Sequence, residues 1–129
     1  MKRLLNIGSI NIDYVYRVPH FLRAGETLEA AHRDFFMGGK GSGIDTRFLT
    51  IDETNPTGHT VIQVTPDGEN AILYFAGTNH AIDKKVILKA FTSLDEGDFV
   101  LLQNEVNNVC FARENAKKQD LHTIFILAP

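Results

Sequence analysis

Tryptophan is missing from this 129-residue chain, and cysteine occurs once, at Cys110. A single cysteine excludes a disulfide within the chain and fits a reducing compartment, so a cytoplasmic location is expected. No apolar run approaches the about 18 residues that a membrane span needs, so no membrane association is expected. Lys2 and Arg3 lead straight into a strand-like run, without the pattern of a signal peptide. With 13 basic and 16 acidic residues the formal charge is −3, and no basic stripe points to nucleic acid. His20, His32, His59, His80 and His122 are scattered without metal-ligand spacing, so no metal site is expected. What is present is ordinary for a soluble globular protein: 43% hydrophobic and 22% charged residues, in a length sufficient for one modest domain.

The hydrophobic pattern alternates between two periods. Residues 3–10, 99–103 and 123–127 are short apolar runs of the kind found in buried parallel strands. Residues 12–18 alternate in polarity, and residues 27–37 read as a second strand of that kind. Residues 59–65 and 70–76 flank an Asp67-Gly68 turn, which predicts a hairpin. A helix is predicted over 83–91, capped by Asp83 and carrying an apolar stripe of Val86, Ile87, Ala90 and Phe91. A second is predicted over 107–119, with Val109, Cys110, Ala112 and Ala116 near one face, where Cys110 would pack in the core. Strand–helix–strand alternation from 83 to 127 argues for an α/β core. The earlier strands would form a small sheet inserted after the first core strand.

Two motifs carry chemistry. Gly8-Ser9-Ile10-Asn11-Ile12-Asp13 ends the first strand in a polar cluster, whose Asn and Asp can donate to and accept from vicinal hydroxyls. Gly38-Gly39-Lys40-Gly41 places a cation in bare backbone that a ligand can approach closely. Taken singly, each also reads as a plain turn. A phosphate-cradling P-loop is excluded, because Asp34 stands where its first glycine belongs and Gly41 follows Lys40.

In this order the two motifs resemble those of the ribokinase-like carbohydrate kinases, the PfkB family. The segment from Pro19 to Thr27 resembles the family's Pro-x-x-Pro-x-x-Gly-Glu-Thr, with Leu22 in place of one proline. Pro56-Thr57-Gly58, Asp67-Gly68-Glu69-Asn70, Gly77-Thr78-Asn79 and Leu101-Leu102-Gln103-Asn104-Glu105 are similar to further landmarks, most like those of ribokinases. The resemblance implies a single, partial ribokinase-like (Rossmann-like) domain over 1–129. Its core pieces would be 1–10 and 80–129, and its β-sheet lid would lie within 11–37 and 57–77. It implies a pentose-binding role for Asn11, Ile12, Asp13, Gly39, Lys40, Gly41, Ser42, Gly43 and Glu105, and a homo-oligomer built through the lid sheet. Phe35 and Phe36 are expected to pack within the lid.

The resemblance also implies ATP and Mg²⁺, yet the Asn-x-x-Glu and Gly-Ala-Gly-Asp motifs that serve them in the family, the second with the catalytic base, do not occur in this sequence. Gly43-Ile44-Asp45-Thr46 resembles a later family landmark, which suggests an internal deletion after Gly41 or Ser42 as well as a shortened C-terminal side. Phosphoryl transfer rests on positioning and charge stabilisation, so a chain without those groups is expected to be inactive alone, with no catalytic residue of its own. Unpaired strand edges and uncovered apolar faces at Ile7, Leu101, Ile124 and Ile126 are further consequences. Three readings remain open: a kinase remnant, a non-catalytic sugar-binding or dimerisation module, and a kinase completed by another polypeptide.

Overall fold

Apolar runs of four or five residues bury themselves best as central strands under helices, and three such runs build one sheet. A computed structural model describes residues 1–41 and 43–127. Strands β1 (Leu4–Ile7), β6 (Phe99–Gln103) and β7 (His122–Ile126) pair in parallel in the order β1-β6-β7. Helices α1 (Lys84–Phe91) and α2 (Val109–Lys118) form the connections from the second sheet into β6 and from β6 to β7. Asp83 caps α1 by accepting the Lys85 N–H at 2.7 Å. Alternate residues of β6, Val100 and Leu102, are fully buried with Ile87, Phe91, Ala112 and Ala116. Each large side chain buried there contributes roughly 1.5–3 kcal/mol. Beside the core, Arg3 ties the start of β1 to β6: its guanidinium donates to Asp98 at 2.8 Å and its N–H donates to the same carboxylate at 3.1 Å.

Between β1 and α1 lies a second sheet of β2 (Asn11–Arg17), β3 (His32–Gly38), β4 (Gly58–Val64) and β5 (Asn70–Phe75), in the order β3-β2-β4-β5. β2 runs antiparallel to β3 but parallel to β4, and β4–β5 is the expected hairpin. Gly68, at φ 87°, supplies the left-handed turn residue of that hairpin. A 3-10 turn (Gly77–His80) then leads back toward the core.

Four details depart from the sequence reading. Cys110 is exposed rather than in the core. Phe35 and Phe36 are 64% and 55% exposed, so neither packs within the lid sheet. They are neighbours in one strand and point to opposite faces, so both faces of that sheet are open. Ile7 is buried, because it sits on the helix-covered face beside Leu102, whereas Ile124 is exposed as expected. Finally, α2 begins at Val109, two residues late. Asn108 takes a left-handed conformation at φ 59°, and the side chains of Asn107 and Asn108 bond the backbone of Ile82 instead of capping. No helix among the described residues is long and apolar enough to cross a membrane.

Candidate functional site

Residues of three segments meet where β1 and β6 end. The Glu105 carboxylate, just beyond β6, accepts from the Lys40 ammonium at 2.6 Å and from the Ser9 hydroxyl at 2.6 Å. The loop carrying Lys40 is held there by its backbone: the Gly41 N–H donates to the Ser9 carbonyl at 2.8 Å, and the Lys40 carbonyl accepts from the Asn6 amide at 2.8 Å. Glycine is required in this loop. Gly39 sits at φ 81°, and a Cβ on it would run into the Ser9 carbonyl. Partial burial pushes the Glu105 carboxyl up, but the bonds from Lys40 and Ser9 outweigh it and hold the group below the usual range. It is therefore an ionised acceptor at neutral pH.

The polar residues of β2 are held separately. Asp13 accepts from the Thr60 hydroxyl of β4 at 2.7 Å. Asn11 accepts from the Asn79 amide at 2.7 Å, and Asn79 in turn accepts from the Ile10 N–H at 2.9 Å. Asn11 and Asp13 share one face of β2 by strand period, across which Gly38 and Gly58 leave room: a Cβ at Gly38 would overlap the Asp13 carboxylate. Ile12 faces the other way, toward the side of the sheet that carries Met37 and His59.

Of the residues expected to bind a sugar, Lys40 and Glu105 are in direct contact, and Gly41 packs against Ser9 beside them. Asn11 and Asp13 lie together on β2. Gly43 lies in an exposed turn at φ 76° with open space around it, and Ser42 lies outside the described residues. Sequence reasoning gave no role to Asn6, Thr60 or Asn79. Thr60 carried one usable signal, a hydroxyl on a strand of alternating polarity, but its partner depends on the parallel β2–β4 register. Two open hollows lie elsewhere, one lined by Lys84, Cys110 and Phe125 and one by Gly97, Arg113 and His122. Neither includes Asn11, Asp13, Lys40 or Glu105.

No protein-family profile matches the chain. Individual proteins do. It is 28% identical to the bifunctional ribokinase/ribose-5-phosphate isomerase A of Fructilactobacillus sanfranciscensis, covering 100% of this chain and 31% of that protein. It is 24% identical to ribokinase of Staphylococcus aureus, covering 99% of this chain and 55% of that protein. These matches extend over 167 and 166 residues, although this chain has only 129, so each relative has intervening residues without a counterpart here. Among solved structures, ribokinase of Cryptococcus neoformans in complex with ADP is 27% identical, with a TM-score of 0.77 over 97% of this chain and 49% of the other. Arabidopsis thaliana ribokinase, complexed with ribose and ATP, shares the fold with a TM-score of 0.73 at 21% identity, over 97% of this chain and 53% of the other. The chain thus spans about half the length of the ribokinases it matches, at 49% to 55%. Ribokinase homologues and ribokinase-fold structures cover nearly the whole chain, which is similar throughout to ribokinase-like carbohydrate kinases.

Proposed function

We propose that this chain is the sugar-binding half of a ribokinase-like kinase and that it binds a pentose such as ribose without phosphorylating it. The observation that carries this reading is the convergence of Lys40, Ser9 and Glu105 from three segments, at the end of the strand that leads into Asn11 and Asp13. Sugar recognition needs ionised acceptors and fixed donors at hydroxyl spacing. Glu105 and Asp13 are the acceptors. Lys40 and the Asn11 amide are the donors, and the glycine backbone around Lys40 lets a ring come close. A hydroxyl entering between Lys40 and Glu105 donates to the carboxylate and accepts from the ammonium, so it replaces their contact without leaving either charge unpaired.

ATP and Mg²⁺, which the family resemblance implies, are given no site on this chain in this reading. The described residues hold no group of three His, Cys, Asp or Glu that could bind a metal. No step of phosphoryl transfer is assigned to this chain. The relatives named ribokinase are roughly twice as long, as the 49% to 55% coverage indicates.

The test is a ribose titration followed through the amide signals of Gly39, Lys40 and Gly41. These signals should move and saturate, and Asp13→Ala should abolish the response. A parallel incubation with ATP and ribose should yield no ribose phosphate. Spectra that ignore ribose at high concentration refute sugar binding, and ribose phosphate formation refutes the non-catalytic part.

A second reading has its own observation. Phe35, Phe36, Met37, Ile72, Leu73, Tyr74 and Phe75 are all exposed on the four-stranded sheet, and clustered exposed apolar side chains are a mark of association surfaces. We infer a homo-oligomer formed through this lid sheet, in the cytoplasm, with 1–129 acting as one incomplete domain. Sedimentation equilibrium tests it, since Phe36→Lys should shift the chain toward monomer.

A further inference from the structure

Two buried asparagines stand at the junction of the two sheets, and the bonds between them leave no freedom in how either amide is turned. Asn79 is 5% exposed and Asn11 is 7% exposed. Which end of an amide is oxygen is settled by its partners. Here the first partner is a backbone N–H, which can only donate. The Ile10 N–H lies 2.9 Å from the Asn79 side chain, so that end of Asn79 must be its oxygen. The other end, its NH₂, must therefore donate to Asn11 at 2.7 Å, and Asn11 must accept with its own oxygen. That leaves the Asn11 NH₂ as the free-facing end of the group.

Asn79 is also anchored on the other side. Its carbonyl accepts from the Asn107 N–H at 3.2 Å, and Asn107 and Asn108 fix Ile82 ahead of α1. Gly58, the β4 partner of Asn11, leaves the space, since a Cβ there would overlap both the Asn79 nitrogen and the Asn11 oxygen.

We propose that Asn79 is a positioning residue: through the series Ile10 to Asn79 to Asn11 it holds Asn11 as a hydrogen-bond donor toward the sugar. The use of that donor rests on the sugar-binding reading above, whereas the orientation does not. Substituting Asn79→Asp separates the two. A carboxylate at position 79 still accepts from Ile10 but cannot donate, so the Asn11 amide turns over and presents its oxygen where its NH₂ was. Asn79→Asp should then act on binding as Asn11→Asp does, with ribose bound about tenfold more weakly in both, the scale of one uncharged hydrogen bond.

The experiment is solution NMR on the full 129-residue chain, reading scalar couplings across hydrogen bonds, with ribose titrations alongside. The wild-type chain should couple the Ile10 nitrogen to the Asn79 side-chain carbonyl carbon, and the Asn79 side-chain nitrogen to that of Asn11. In Asn79→Asp the first coupling should persist and the second should reverse, running from the Asn11 side-chain nitrogen to the carboxyl carbon at position 79. A wild-type chain without the Asn79-to-Asn11 coupling overturns the proposal, and this is read even if the variant does not fold. Full ribose affinity in Asn79→Asp, where Asn11→Asp has lost it, also overturns it. Reversed couplings in a chain that never responds to ribose uphold the positioning of Asn11 and refute the sugar-binding reading alone.

Discussion

Replacing Glu105 with Gln should separate binding from folding. The substitution keeps the shape of the side chain and removes its charge. Lys40 and Glu105 have side chains 41% and 26% exposed, so the ion pair at 2.6 Å is partly hydrated. Such a pair contributes about 0–1 kcal/mol to stability. Gln keeps one oxygen to accept from Lys40, and its NH₂ replaces the other oxygen and donates to the Ser9 hydroxyl, so the unfolding free energy should fall by less than about 1 kcal/mol. Ribose binding is a different matter. A hydrogen bond from a hydroxyl to a charged acceptor is worth about 1.5–3 kcal/mol, which corresponds to roughly 10- to 150-fold in affinity. The assay is isothermal titration with ribose, paired with urea unfolding of the same variant. The wild-type affinity should also be lost on acidification. The Glu105 carboxyl is held below its ordinary 4.5, so the ionised form is complete at neutral pH and is lost only as pH falls through that depressed value. A variant that unfolds at much lower urea but binds ribose as the parent does would refute the reasoning, because it would make Glu105 a structural residue.

Three other outcomes follow from the geometry. Gly38→Ala sets a Cβ against the Asp13 carboxylate, so it should weaken ribose binding and cost about 1–3 kcal/mol of stability, read by titration and urea unfolding. Leu102→Ala empties a fully buried position in the core cluster and should destabilise by about 2–5 kcal/mol, measured by the urea midpoint. Asp98 is pulled down from 3.8 to about 2 by the Asp95 and Arg3 N–H groups and the Arg3 guanidinium, against its burial. Its contribution is therefore complete above pH 3.8 and is lost as pH falls toward 2, so Asp98→Asn should flatten the acid-unfolding curve in that window.

Much of the fold was legible because its signals are local. The apolar runs that became β1, β6 and β7, the Asp67-Gly68 turn and the Asp83 cap each need only a few neighbouring residues to declare themselves. Cys110 did not, because its helix phase was misread. The buried line of α2 runs through Ala112 and Ala116, and a residue two positions before Ala112 lies about 200° around the helix from it. Phe35 and Phe36 were misplaced for a different reason: hydrophobicity predicts burial only where another layer exists, and the four-stranded sheet has none among the described residues.

The site was legible in parts. Lys40 and Glu105 lie far apart in sequence, and family resemblance named both, but only the parallel β1–β6 pairing brings them to the same end of the sheet. Thr60 was beyond reach, and Asn79 was marked only as part of the Gly77-Thr78-Asn79 landmark, without a partner. Each acts on β2 through the β2–β4 register or the 3-10 turn, and neither carries a motif that identifies its partner.

Heat unfolding of the 129-residue chain with and without ribose tests the central claim most directly. If the sugar-binding half is intact, the transition is cooperative and ribose raises it. Ribose at about 100 times its dissociation constant would add about 2.7 kcal/mol, a shift of several degrees. A transition that is broad, or that stays in place at any ribose concentration, contradicts the account and leaves the motifs as a record of ancestry.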